Sequence, residues 1–187
     1  RSYDYEPLPG TYWMHAHIPL QEMNLLAAAL IVRSAEDVKA DRQEVVMFLH
    51  DFSFKTPEEV MQEITGGHGG GHDMSAMGGQ SDPGASMDHS GMKMDMSSMQ
   101  GMAVDLNDYD WDAYLTNDRT LSDPQIVRVE KGGRIKLRVI NGASATVFWI
   151  DTGELSARLV AVDGHAVQPL EGKRFGVAMG QRLDLEL

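Results

Sequence analysis

The sequence predicts an all-β fold, a Greek-key sandwich of short strands interrupted by one long low-complexity insertion. Three observations predict it. Ile135, Leu137 and Val139 alternate with Lys136 and Arg138, and Leu183, Leu185 and Leu187 alternate with Asp184 and Glu186. A period of two marks a strand with one buried face. Turn signals recur between such runs, at Asn117-Asp118, Lys131-Gly132-Gly133, Asn141-Gly142 and Asp163-Gly164, and many short strands at even spacing argue for a sandwich.

The chain has 187 residues, 42% of them hydrophobic, enough to bury a core. No apolar run reaches the length that spans a bilayer. The net charge is −12, which disfavours nucleic acid as a partner. There is no cysteine, so neither a disulfide nor a thiolate metal site can form within this chain.

Taken in order, residues 1–33 read as the end of one β domain, with Pro9-Gly10 as a turn and Leu25 to Val32 as a buried apolar run. Residues 34–43 are polar and read as a linker. Residues 44–187 read as a second β domain that opens on the strand Glu44 to His50. His50 is expected to be structural, hydrogen-bonded near the strand end. Residues 55–104 hold a short helix and an insertion. Thr56 caps the helix, Pro57 takes its first position and Glu59 completes a capping box. Further strands are expected at Trp111–Leu115, Ile126–Glu130, Thr146–Ile150 and Arg158–Val162.

Two stretches carry chemistry. In Gly10-Thr11-Tyr12-Trp13-Met14-His15-Ala16-His17 the two histidines are spaced i and i+2 on a strand-like run. Such side chains share a face. Two imidazoles there suit one metal, or one each of two neighbouring metals, with copper, zinc and iron all admissible. Residues 66–102 are dominated by Gly, Ser, Asp, His and Met, with no large aliphatic residue for the methionines to pack against. Thioether sulfur selects Cu(I). Met74, Met77, Met87, Met92, Met94, Met96, Met99 and Met102, with His89, are therefore candidate Cu(I) ligands.

The run Gly10 to His17, followed by Ile18-Pro19-Leu20-Gln21, resembles the second copper-binding motif of the multicopper oxidases, and Leu30-Ile31-Val32 resembles the close of that family's first cupredoxin domain. This chain has Met14 where the family usually has Tyr, Ala16 where it often has Ser, Leu25 and Ala28 where it has Gly, and Ala29 where it has Pro. Leu115 to Arg119, Arg138 to Gly142 and Val162 to His165 resemble pieces of the second, copper-free cupredoxin domain. There His165 is a turn residue and Met179 packs. Met87-Asp88-His89-Ser90-Gly91-Met92 resembles the Met-rich tracts of periplasmic copper-resistance oxidases.

The resemblance implies cupredoxin-like Greek-key sandwiches in which His15 and His17 serve a type 3 copper pair. It implies single-electron oxidation of Cu(I), phenols or similar donors, coupled to reduction of dioxygen to water, with a role in copper tolerance and an extracytoplasmic, periplasmic setting. The type 1 copper that admits electrons requires a cysteine, which this chain lacks. It is therefore expected to be an internal piece of a larger oxidase, partnered by that parent's other cupredoxin domains, and inactive alone. Two other classes remain open: a non-catalytic copper-binding or storage protein using the Met/His tract, and a β-sandwich interaction module.

Overall fold

The computed structural model describes Ser2 and residues 4–18, 20–66 and 109–187, and the chain divides into two compact units, Arg1–Val60 with Asp110–Leu187, and Met61–Tyr109. The expectations for Met74, Met77, Met87, His89, Met92, Met94, Met96, Met99 and Met102 fall outside the described residues.

The larger unit opens on a hairpin. Strand β1 (Gly10–His15) pairs antiparallel with β2 (Ala27–Val32), Gly10 facing Val32 and His15 facing Ala27. Helix α1 (Ala35–Lys39) forms inside the segment read as a linker, its first turn closed by reciprocal bonds between Ser34 and Asp37. Then come β3 (Gln43–Phe52) and helix α2 (Pro57–Gly66). The expected capping box is present. The Glu59 N–H donates to Thr56 Oγ1 at 3.3 Å and the Thr56 N–H to Glu59 Oε2 at 2.7 Å.

The remaining strands are β4 (Ala113–Thr116), β5 (Ile135–Asn141), β6 (Phe148–Asp151), β7 (Ala157–Val162), β8 (His165–Gly172), β9 (Arg174–Val177) and β10 (Arg182–Glu186). Six form one sheet in the order β4-β3-β5-β10-β7-β8, and β6 pairs with β9. All pairings are antiparallel except β3 with β5. Leu49, Val139, Leu183 and Leu185 from the large sheet close on Ile150, Phe175 and Val177 from β6 and β9 to form the core. The Asp163-Gly164 turn, with φ of +52° and +81°, joins β7 to β8. His165, expected as a turn residue, instead follows the turn as the first residue of β8, exposed and paired in register with Val162.

Three further sequence expectations need correction. Residues 126–130 do not form a strand, and Ile126 is exposed. Part of the β3 edge that could have paired with them is already taken. The Asn117 amide accepts from the Phe48 N–H and donates to the Val46 carbonyl, each at 2.8 Å, so it occupies the ladder position itself. Met179 is half exposed rather than packed, because it lies in the tight turn closed by the Gln181 N–H on the Ala178 carbonyl. Lys136 and Arg138, read as the solvent side of a half-buried strand, are buried, Arg138 completely. Strand β1 lies across that face of β5 and β10.

Candidate functional site

Residues Thr11, Trp13 and His15 alternate along β1 and so share a face. Opposite them in register stand Ile31, Ala29 and Ala27. The alanines leave room for the indole and the imidazole. The strand was expected to run through His17, yet it stops at His15, with one further bond from the Ala16 N–H to the Leu26 carbonyl at 3.1 Å. His17 therefore stands just past the strand end. The two imidazoles still come together, their ring centres 4.5 Å apart and planes inclined at 39°. His15 is partly buried and His17 exposed.

Two neighbours fix the His15 ring. Trp13 stacks on it with centroids 4.1 Å apart and 15° between planes. Glu22, from the 3₁₀ turn Glu22–Asn24, pairs its carboxylate with His15 Nδ1. A carboxylate on Nδ1 holds the proton there and leaves Nε2 as the ring's free lone pair, which is how ligating histidines are commonly oriented. The turn ends at Leu25, whose φ of +59° lies in the left-handed region and whose N–H bonds the Glu22 carbonyl at 3.0 Å. That is one of the positions where the resembling motif has Gly, and glycine is the residue that takes this backbone without strain. Nothing in the sequence beyond proximity marked Glu22 as a partner of His15.

The aromatic contacts continue into the sheet. Trp13 meets Phe48 edge-on at 6.0 Å, and Phe48 lies 4.3 Å from His50. His50 is buried, its Nδ1 3.1 Å from the Gly142 carbonyl. Burial pushes its pKa down, only partly offset by that hydrogen bond. The expected structural role for His50 holds. Gly142 is required here by close approach. A Cβ on it would stand 2.5 Å from Phe48 Cε2 and 2.8 Å from His50 Cε1. Gly142→Ala should therefore cost about 1–3 kcal/mol through overpacking, read as a lowered thermal midpoint with α/β content unchanged by circular dichroism.

Among the described residues no group of three or more His, Asp or Glu side chains is arranged to hold a metal ion. The His15–His17 pair sets two imidazole rings side by side. Its donor chemistry, two imidazoles of which one has a fixed tautomer, fits copper.

A family model described as multicopper oxidase matches residues 44–186, a span that leaves out β1 and its histidines. Across 189 residues the chain is 28% identical to multicopper oxidase MmcO of Mycobacterium tuberculosis, covering 96% of this chain and 34% of that protein. It is 28% identical over 190 residues to copper resistance protein A of Escherichia coli, covering 94% of this chain and 30% of that protein. The chain spans about a third of the length of these curated relatives. Among solved structures, the blue copper oxidase from Nitrosomonas europaea superposes with a TM-score of 0.63 at 21% identity, over 99% of this chain and 47% of that one. Fet3p, a multicopper oxidase that functions in iron import, gives 0.66 at 12% identity, over 96% of this chain and 27% of that one. These two likenesses are of fold.

Proposed function

We propose, from the premise that this chain belongs to the multicopper oxidase family, that His15 and His17 are imidazole ligands in a copper centre where a parent oxidase reduces dioxygen. The observation that carries the proposal is the paired imidazoles, with the Glu22 carboxylate on His15 Nδ1. In this reading His15 and His17 serve the two members of a type 3 pair. Copper bound there would supply single-electron redox chemistry. The chain's own residues do the positioning. Glu22 holds the proton on Nδ1, Trp13 fixes the ring plane, and the β1–β2 hairpin sets the distance between the imidazoles.

In the same reading, residues 1–33 close one cupredoxin domain and residues 44–187 form most of a second, joined through residues 34–43. The remaining ligands come from other domains of the parent. The chain alone has no cysteine for a type 1 site, so it should be inactive by itself. The donors are Cu(I), phenols or similar reductants, and the setting is extracytoplasmic, a placement that rests on the resemblance to copper-resistance oxidases. No helix among the described residues is long and apolar enough to cross a membrane.

The Met-rich tract, residues 66–102, supplies soft sulfur ligands for Cu(I) capture. The methionines of the tract have no core residues beside them in sequence, so affinity should be built from several weak contacts. The test is oxygen uptake by the full-length protein with Cu(I) and with a phenol. Deleting residues 66–102 should weaken turnover with Cu(I) and leave phenol oxidation intact. No uptake with either donor would contradict the oxidase reading and favour copper storage by the tract.

A further inference from the structure

One buried polar cluster is left unused by the copper chemistry. Thr11, 1% exposed, donates its hydroxyl proton to Asp184 Oδ1 and accepts from Arg138 Nη1 at 3.0 Å. The same Nη1 lies 3.0 Å from Asp184 Oδ2, and Nη2 donates to Glu44 Oε1 at 2.7 Å. Arg138 Nε is buried without a partner, so the guanidinium is held through its Nη atoms alone. Its partners come from β3 and β10 as well as β1, and it is thereby fixed to the frame of the core.

We propose that this cluster is a positioning device for the histidine strand, in which Thr11 acts through β1 on the spacing of His15 and His17. The inference rests on the reading of those histidines as copper ligands.

Three observations carry it. First, Thr11, Trp13 and His15 share one face of β1. Thr11 grips Asp184 and Arg138, and Trp13 abuts Phe48 on β3. Two anchors on one strand fix both its translation and its rotation about its axis. Second, side chains alternate along a strand, so a slip of one residue would turn His15 to the opposite face. Apolar contact tolerates sliding, whereas a hydroxyl that both donates and accepts does not. Third, strand stability by itself favours Val at position 11, which nearly matches Thr in volume and matches it in β-branching. Buried charge clusters are weak sources of stability compared with apolar packing, and fixing register is their best-attested use.

The test uses the full-length, copper-loaded protein with Thr11→Val, Thr11→Ser and His15→Ala. The readouts are copper retained against a chelator, the Cu(II) electron paramagnetic resonance spectrum, and the thermal midpoint. Thr11→Val keeps the Asp184–Arg138 pair but takes the donor from Asp184 Oδ1, so it should fold with a thermal midpoint lowered by a few degrees, about the cost of one unmet buried hydrogen bond. Its paired copper should be held about tenfold less tightly or worse, in the range seen for outer-shell changes, with copper that is magnetically silent in the wild type becoming visible. Thr11→Ser restores the hydroxyl and should restore both properties. If Thr11→Val does not fold, Thr11→Ala is read in its place. Wild-type copper retention and spectrum in the folded Val or Ala variant would overturn the proposal, as would a Ser variant no better than Val. His15→Ala separates the two readings. Copper lost in His15→Ala and kept in Thr11→Val sinks the positioning role only, whereas copper kept in both sinks the ligand reading with it.

Discussion

Replacing His15 or His17 by Ala in the full-length protein should remove copper from the pair and cut oxygen reduction by roughly a hundredfold or more. Outer-shell changes alone cost metal sites about 10–100-fold, and loss of a direct ligand also removes the metal whose chemistry drives the reaction. The fold should survive both changes. His17 is exposed and His15 only partly buried, and neither belongs to the core cluster. Thermal stability should therefore move by no more than about 1 kcal/mol. A large loss of activity with little loss of stability separates a ligand from a packing residue. Full oxygen uptake in either variant would show that the pair is not at the reacting centre.

Arg138→Met should produce a large loss of stability. Arg138 is wholly buried among Asp184, Glu44 and Asp37, with Lys136, Arg33 and Arg42 completing the cluster. Removing one partner of a buried ionic group strands the others, at a cost of about 3–5 kcal/mol. For a chain of this size that is roughly a ten-degree fall in thermal midpoint. Arg138→Met with Asp184→Leu should recover much of the loss, because an apolar replacement leaves fewer charges unpaired.

The cluster also sets a pH dependence. Burial by itself would raise the Asp37 carboxyl, yet the bonds from Lys136 and the Ser34 N–H, with the charges of Lys136 and Arg138, hold it well below the usual carboxylate range. Glu44 is lowered likewise against burial by Arg33 and Arg138. A depressed folded-state pKa contributes stability that is fully present at neutral pH and lost as pH falls through the folded value. His50, pushed down by burial, destabilises in the same direction once pH drops below about 6.5. Acid unfolding followed by circular dichroism should begin near the ordinary carboxylate range in the wild type and at higher pH in Arg138→Met. An unchanged acid midpoint would contradict the assignment of these shifts to the cluster.

The strands and their inner faces were legible because alternation is a local signal. Ile135, Leu137, Val139, Leu183 and Leu185 declared their side without any knowledge of partners. The outer face was not legible. Lys136, Arg138 and Asp184 alternate as a solvent face would, and it takes β1, whose Thr11 is 127 residues from Arg138, together with Asp37 of α1, to turn that face into a buried one. The missing strand at residues 126–130 has a similar origin, since the Asn117 amide that takes part of the β3 edge looks in sequence like an ordinary turn residue. At the site, the motif marked His15 and His17 through resemblance, while Glu22 and Phe48, and the stacking of Trp13 on His15, emerged only from the fold. The turn that brings Glu22 to His15 depends on a left-handed Leu25, a conformation that no propensity for leucine predicts.

The most direct test of the central claim is the anomalous scattering of copper in crystals of the full-length, copper-loaded protein. The account predicts copper density bonded to His15 Nε2 and to the His17 imidazole, with His15 Nδ1 still paired to Glu22. Copper absent from these rings, or bound to His15 through Nδ1 with Glu22 displaced, would contradict it.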